Sequence, residues 1–151
     1  MPRNQIPAEL RRLVIERAHH CCEYCLLHQA DALLAHHVDH VRPRKHKGKT
    51  ILSNLALSCA FCNLHKGTDF AAYVSDGDDD DDDDEQSVFL FNPRRQVWAE
   101  HFSFNGAFIV GITPRGIATV KTLQFNLPDR LLQREKLMNA GVYPSSQFLL
   151  P

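Results

Sequence analysis

Four of the five cysteines in this chain form two C-x2-C pairs, Cys22 with Cys25 and Cys59 with Cys62. Two such turns can present four thiolates at the corners of a tetrahedron, which is the usual ligand set of a structural zinc ion. Four sulfurs leave no position for a water molecule, so we expect this Zn²⁺ to stabilise the fold and to take no part in catalysis. The odd fifth cysteine, Cys21, and the tight clustering of all five argue against a disulfide framework.

A second group of polar residues lies between and just after these pairs. The chain reads H-H-V-D-H-V-R-P-R-K from His36, N-L-A-L-S-C from Asn54 and C-N-L-H-K-G from Cys62. Hydrolysis of a phosphodiester needs a base for water, and a neutral imidazole with a pKa near 6.5 can serve at pH 7. The reaction also needs a cation at the phosphate, and a carboxylate and an amide completed by waters suit Mg²⁺ or Mn²⁺. These residue types therefore fit metal-dependent hydrolysis of a phosphodiester.

Over residues 22–67, the ordered motifs resemble the HNH endonuclease family, specifically its four-cysteine branch. The resemblance implies an α+β fold with a zinc-stapled ββα-metal core that cuts DNA and leaves 5′-phosphate and 3′-hydroxyl ends. It implies that His40 is the general base and that Asp39 and Asn63 bind the catalytic cation. It also implies that Asn54 is a structural residue of the active site, bracing the loop that bears the base.

The sequence leaves two points of local geometry open. His65 is an alternative to Asn63 as cation ligand, and the two cannot both face one ion because helix positions two apart differ by about 200°. Spacing within the motif favours Asn63. Asp39 and His40 point to opposite faces of an ideal strand. Both can reach one phosphate only if the strand ends there, which the proline of the following R-P-R sequence favours.

The loop spanning residues 42–49 carries five Arg or Lys residues and one histidine in eight positions. Such a loop can be merely solvated, but beside a nuclease centre it is suited to hold the DNA backbone, because phosphate contacts position a duplex without reading its sequence. The residues predicted to contact the backbone are Arg42, Arg44, Lys45, Lys47, Lys49 and Lys66.

Short elements must position these side chains. We predict a helix over residues 7–20, a strand over 36–41, a second short apolar segment over 51–58 and a helix from Asn63 onward. The strand is expected to end at Pro43, near the start of the basic loop.

The remainder of the chain predicts a small αβ extension. Residues 92–98 are expected to form a short helix, and residues 102–112 a hairpin around an Asn-Gly turn. A helix should run from residue 113 towards 124, and another from Pro128 to Asn139, stopping at Gly141. The stretch 90–120 resembles, more loosely, the tail of stand-alone bacterial HNH proteins.

Charge divides the chain into three parts. Nine of the ten residues 76–85 are acidic, and without them the rest has 17 basic against 9 acidic residues, a net charge of +8. A basic body indicates an anionic partner, here DNA. We therefore predict an HNH core with its N-terminal helix over 1–72, an acidic disordered linker or loop over 73–87, and an extension of unknown role over 88–151. The acidic run is a departure from the tail-bearing HNH group.

The composition, 44% hydrophobic and 23% charged, is that of a globular protein. No apolar run approaches the ~20 residues of a membrane span, and the first residues lack a secretory signal, so we expect a cytoplasmic protein without membrane contact. No organic cofactor is predicted, and the oligomeric state stays open.

The alternative to an HNH endonuclease is a non-catalytic, zinc-ribbon-like nucleic-acid-binding module. This alternative explains the cysteines and the basic loop but leaves the Asp, His and Asn residues as coincidence.

Overall fold

The computed structural model describes residues 5–74 and 86–145, and within them the fold combines helices with three small antiparallel sheets of two strands each. The elements, in chain order, are α1 (Ala8–Arg17), β1 (His37–His40), β2 (Leu55–Ser58), α2 (Ala60–Lys66), β3 (Ala71–Val74), β4 (Gln86–Phe89), β5 (Phe102–Asn105), β6 (Phe108–Gly111), α3 (Pro114–Thr122) and α4 (Pro128–Asn139). The α+β class predicted from the sequence is confirmed. No helix in the two described ranges is long and apolar enough to cross a membrane.

The first sheet and the helix after it form the ββα unit that the sequence predicted. β1 pairs antiparallel with β2, so that Asp39 lies opposite Ala56 and His40 lies opposite Leu55. β2 is buried along its whole length, and α1 packs against it through Val14 and its apolar neighbours. β1 ends at His40, as the local geometry of the Asp-His pair requires.

α1 is shorter than the predicted helix over residues 7–20, because it ends at Arg17. His19 and His20 follow with φ angles of 53° and 62°. These left-handed conformations cannot continue a right-handed helix. The chain therefore turns here towards the first cysteine pair.

α2 begins earlier than predicted, at Ala60 instead of Asn63. The sulfur of Cys59 accepts a hydrogen bond of 3.4 Å from the backbone N–H of Cys62 and so caps the helix. The second C-x2-C turn is therefore itself the first turn of α2. The sequence did not indicate this helix start, because ordinary cap residues carry a side-chain oxygen and Cys59 carries a sulfur.

Beyond the second sheet, the extension mostly follows its local signals. The predicted hairpin is confirmed as β5 and β6, with Gly106 at a φ of 58° in the turn. Thr113 caps α3 by accepting a bond from the N–H of Gly116. α4 has the bounds predicted, and Gly141 follows with a φ of 73°.

The predicted helix over residues 92–98 is wrong, since this stretch contains a turn and then a 3₁₀ helix, Trp98–Glu100. The side-chain oxygen of Asn92 accepts a 2.9 Å bond from the backbone N–H of Arg94. The backbone N–H of Asn92 donates a 2.8 Å bond to the side-chain oxygen of Gln96. Asparagine offers the backbone such local bonds in competition with a helix.

The hydrophobic core runs from the cysteine turns into the extension. Cys22 and Ala56 belong to the same buried cluster as Phe102, Leu123 and Phe125. β3 and β4 pair with each other, so the strands on either side of the acidic run lie side by side. The acidic linker or loop was predicted over residues 73–87, but residues 73–74 belong to β3 and residues 86–87 to β4. The acidic run at residues 76–85 falls outside the described residues.

Candidate metal centre and active site

The four paired cysteines lie together in the interior. Cys22, Cys25, Cys59 and Cys62 are all buried, and their sulfurs are within 4.8 Å of one another. The sulfurs of Cys25 and Cys59 are 3.7 Å apart. A tetrahedron with Zn–S distances of about 2.3 Å has edges of about 3.8 Å, so this donor set fits a zinc ion. Cys21, although buried, lies outside this group.

Backbone groups and burial control the charge of these sulfurs. The N–H of Cys25 donates to the sulfur of Cys22, and the N–H of Cys62 donates to the sulfur of Cys59, both over 3.4 Å. Burial raises the pKa of the Cys22 and Cys62 thiols, because a thiolate is poorly stabilised away from water. The pKa of Cys25 is lowered instead, mainly by its hydrogen bond with Cys22. A Zn²⁺ ion would supply the positive charge that stabilises all four sulfurs as thiolates.

An arginine from the extension contacts the cysteine group. No motif in the sequence predicted this contact. Arg130 on α4 is only 4% exposed, and its Nη2 lies 3.1 Å from the sulfur of Cys62 and 3.9 Å from that of Cys59. Its Nη1 donates to the carbonyl of Leu123 over 2.8 Å. Burial by itself lowers the pKa of Arg130, but the neighbouring thiolates of the cysteine group outweigh this and raise it. Arg130 thus offsets part of the negative charge of a four-thiolate zinc complex.

Two aromatic side chains of the extension also hold the first cysteine turn. The indole N–H of Trp98 donates to the carbonyl of Tyr24 over 2.8 Å. The hydroxyl of Tyr143 donates to the carbonyl of Cys25 over 2.5 Å. The backbone of the turn is therefore fixed from the extension side as well as by its own bonds.

The second group of functional candidates lies where β1 meets the end of α2. Lys66 is 2% exposed, and its Nζ lies 3.2 Å from Oδ2 of Asp39 and 3.2 Å from the carbonyl oxygen of His40. The ammonium group fixes the carboxylate and the end of β1 together. The prediction that Lys66 contacts the DNA backbone does not fit this position, because a buried and ion-paired ammonium group cannot reach a phosphate on the surface.

The faces of α2 bear on the choice between Asn63 and His65. Lys66 points towards Asp39. Asn63 is rotated about 60° from Lys66 around the helix axis, whereas His65 is rotated about 100° to the other side. Residues three apart share a helix face, so the geometry favours Asn63 as the neighbour of Asp39. Both side chains are half-buried.

His40 is held by a residue that the sequence analysis missed. Its Nε2 lies 2.8 Å from Oγ1 of Thr50, which also accepts a 3.4 Å bond from Arg44. Burial is the main reason why the pKa of His40 lies below its ordinary value of 6.5, and the positive charges of Arg44 and Lys66 lower it further, against the opposing effect of Asp39. The imidazole is therefore neutral at pH 7. A threonine directly after a basic loop carries no sequence signal for this contact.

Asn54 bonds to both ends of the basic loop. Its Nδ2 donates to the carbonyls of Arg42, over 3.0 Å, and Lys49, over 2.8 Å, while its Oδ1 accepts from the N–H of Arg42 over 2.9 Å. Its backbone carbonyl accepts a 2.9 Å bond from the N–H of Val41, directly after β1. These are the contacts that the bracing role expected of Asn54 requires.

The basic loop presents its charges to solvent. Its five Arg and Lys side chains, unlike that of Lys66, are exposed. His46 packs its ring against Phe70 instead, with centroids 4.8 Å apart. The loop therefore has a fixed base and a charged outer surface. The exposed side chains are those of Arg42, Arg44, Lys45, Lys47 and Lys49.

Comparison with known proteins agrees with this geometry. Residues 22–69 match the family model of the HNH endonucleases. A search of curated proteins and a search of solved structures each found no match. The chain therefore carries an HNH endonuclease domain at residues 22–69, and its four cysteines, positioned to bind a metal, are consistent with the zinc-type branch of that family. The HNH resemblance of residues 22–67 is confirmed.

Proposed function

We propose that the HNH domain at residues 22–69 is catalytically active and hydrolyses phosphodiester bonds in DNA with a divalent cation. An HNH domain implies a nucleic-acid substrate. The observation that carries the proposal is the meeting of a fixed carboxylate and a neutral imidazole at the end of β1. Lys66 ties Asp39 to the backbone of His40, and Thr50 holds the His40 ring.

In this proposal, His40 activates the attacking water. In the tautomer that carries its proton on Nε2, the ring donates to Oγ1 of Thr50, 2.8 Å away, and Nδ1 would be the nitrogen that takes the proton from water. The lowered pKa of His40 keeps this nitrogen unprotonated at pH 7. The water oxygen attacks phosphorus and gives its proton to His40, and the bond to the 3′ oxygen breaks. That oxygen takes a proton from solvent, so the products carry 5′-phosphate and 3′-hydroxyl groups.

Asp39 and Asn63 would hold the catalytic cation. A carboxylate and an amide are hard oxygen donors, which suit Mg²⁺ or Mn²⁺ completed by waters and the phosphate. The cation would neutralise charge on the phosphate and on the departing oxygen. Lys66 holds one oxygen of Asp39 and so fixes the orientation of the carboxylate. The charged loop 42–49, braced by Asn54, would hold the DNA backbone next to this centre.

A plasmid-nicking assay with Mg²⁺, with Mn²⁺ and with EDTA tests the proposal. His40→Ala should lower the cleavage rate by about 10²–10⁴-fold, the usual loss on removing a general base. Its fold, zinc content and DNA affinity should stay at wild-type values. His37→Ala is the matched control, because His37 is an exposed histidine of the same strand. If His40→Ala cleaves normally while His65→Ala is inactive, the base is wrongly assigned.

A second function, non-catalytic nucleic-acid binding by a zinc-ribbon-like module, is favoured by one observation. The ammonium group of Lys66 already neutralises Asp39, as it would in a domain that binds no cation there. This alternative shares the cysteine group and the exposed basic loop with the nuclease. It predicts DNA binding but no nicking with any divalent cation, so the same assay separates the two.

We place this activity in the cytoplasm. The four paired cysteines are buried and converge as thiols on one candidate metal site. A reducing compartment keeps such thiols available to zinc. The proposed partners are DNA, Zn²⁺ and the catalytic cation, with no organic cofactor.

A further inference from the structure

A cleft of about 620 Å³ opens between the HNH domain and the extension. Loop 42–49 and Asn54 form one wall, and Phe89, Arg95 and Arg115 form the other. A volume of several hundred Å³ is enough to enclose a group the size of a nucleotide. The wall formed by the extension has no part in the function proposed above.

The charge of the cleft selects an anionic occupant. No Asp or Glu among the described residues lines it. Lys66 also reaches the cleft, but its charge is already paired with Asp39. The unpaired charge comes from both walls, so an anion is attracted into the gap and not merely to the loop. The cationic side chains concerned are those of Arg42, Lys47, Lys49, Arg95 and Arg115.

Aromatic rings lie among these charges. Phe70 and Phe89 stack with their centroids 6.0 Å apart at an interplanar angle of 26°. The guanidinium of Arg42 lies 5.8 Å from the centroid of Phe70, and that of Arg115 lies 5.8 Å from the centroid of Phe89. Phe89 is nevertheless 58% exposed. An exposed ring among guanidinium groups is the arrangement by which proteins bind single-stranded nucleic acid, because every unpaired base offers a face for stacking.

The position of the cleft connects it to the nuclease centre. Asn54 and Lys66 both line it. Asn54 fixes the basic loop, and Lys66 bonds to Asp39 and to the backbone of His40. Asp39 and His40 do not themselves line the cleft, so the side chain of Lys66 separates a strand lying there from them. The bases of an intact duplex are stacked on one another and cannot use the rings, whereas an unpaired strand can.

We propose that this cleft binds an unpaired segment of single-stranded DNA beside the scissile phosphate, so that the substrate class is DNA with a single-stranded stretch. This inference rests on the proposed nuclease function and narrows it. The extension thereby gains a role in substrate selection.

Fluorescence anisotropy with labelled oligo(dT), and with a duplex of equal length, tests the cleft in the zinc-loaded full chain without added magnesium. Phe89→Leu should weaken oligo(dT) binding about 5-fold or more, which is the lower end of the effect of losing one stacking ring, and should leave duplex binding unchanged. Phe89→Tyr should keep the wild-type affinity. Phe108→Leu is the matched control, because Phe108 is 49% exposed on β6 and does not line the cleft.

The charge of the extension wall is tested with Arg95→Gln. It should weaken oligo(dT) binding more at low salt than at high salt, whereas Lys121→Gln, an exposed cation outside the cleft, should not. Equal losses on oligo(dT) and duplex would overturn the inference in favour of a duplex-backbone surface. Unchanged oligo(dT) binding by Phe89→Leu would overturn it altogether.

The two proposals fail separately. If the wild type cuts neither plasmid nor DNA with a single-stranded stretch, but Phe89→Leu loses oligo(dT) affinity, single-strand binding by the cleft stands and the nuclease proposal fails. If the wild type cuts DNA and Phe89→Leu binds oligo(dT) normally, only the cleft inference fails. Circular dichroism and zinc content of each variant should be measured to check that the fold is retained.

Discussion

Replacement of Arg130 by methionine tests whether the extension forms part of the zinc site. Arg130→Met keeps most of the side-chain volume but removes the charge and the 3.1 Å bond to the sulfur of Cys62. It also removes the 2.8 Å bond to the carbonyl of Leu123. Loss of a group that supports a metal ligand typically lowers metal affinity 10- to 100-fold. We therefore expect the zinc dissociation constant to rise by that factor, equivalent to about 1.4–2.7 kcal/mol.

Arg134 provides a matched control on the same helix. It is 3% exposed and donates to the carbonyls of Phe125, over 2.6 Å, and Ala107, over 2.7 Å. Arg134→Met therefore removes a buried arginine that bonds to oxygen and not to the cysteine sulfurs. Both variants should be less stable than the wild type, but only Arg130→Met should bind zinc more weakly while folded.

Zinc transfer to a colorimetric chelator, measured at a temperature where both variants are folded, separates these effects. Arg130→Met should release zinc at lower chelator concentrations than Arg134→Met. Arg130→Lys should lie between Arg130→Met and the wild type, because an ammonium group keeps the charge but lacks the planar fork of donors. Equal zinc affinity in Arg130→Met and Arg134→Met would refute the reasoning, since it would reduce Arg130 to an ordinary packing residue.

Three further predictions concern residues around the two sites. Cys22→Ser should lose zinc and fold poorly, whereas Cys21→Ser should retain one Zn²⁺ per chain by elemental analysis, because Cys21 lies outside the sulfur group. Asn54→Ala removes three side-chain bonds to the basic loop. At about 0.5–1.5 kcal/mol for each bond, the free energy of unfolding in urea should fall by about 1.5–4.5 kcal/mol. Thr50→Val should lower kcat roughly 10-fold, which is less than the ~10²–10⁴-fold loss on removing the base itself, with KM unchanged, and Thr50→Ser should restore it. Equal kinetics for Thr50→Val and the wild type would contradict a positioning role.

Local signals in the sequence carried the prediction of several elements. The two-residue spacing of a C-x2-C pair restricts its turn to a narrow range of geometries. The four sulfurs of the two pairs lie within 4.8 Å of one another, as this spacing predicted. α4 begins at Pro128 and ends at Asn139 as predicted, because a proline starts it and Gly141 follows it. In each case the information lies within a few residues of the feature.

Contacts between distant segments could not be predicted in this way. Arg130 reaches Cys62 across 68 positions of the chain, and only the packing of α4 brings the two together. Lys66 has the charge and the motif position of a phosphate contact, but the docking of α2 on β1 turns it inward to Asp39. The HNH resemblance named residues along the motif, whereas Thr50 meets His40 only once the basic loop has folded back.

One hydrophobic core joins Cys22 and Ala56 of the HNH domain to Phe102 and Phe125 of the extension. The two parts should therefore unfold together. Elements that share one core lose their stabilising contacts together, so unfolding should be a single cooperative transition. Removal of zinc should then melt the hairpin β5–β6 and α4 along with the cysteine turns, although neither the hairpin nor α4 contributes a ligand. For the same reason, a fragment cut after residue 72 should expose apolar surface and aggregate. The nuclease motif is thus not a portable module, and transplanting it into another protein would require the extension as well.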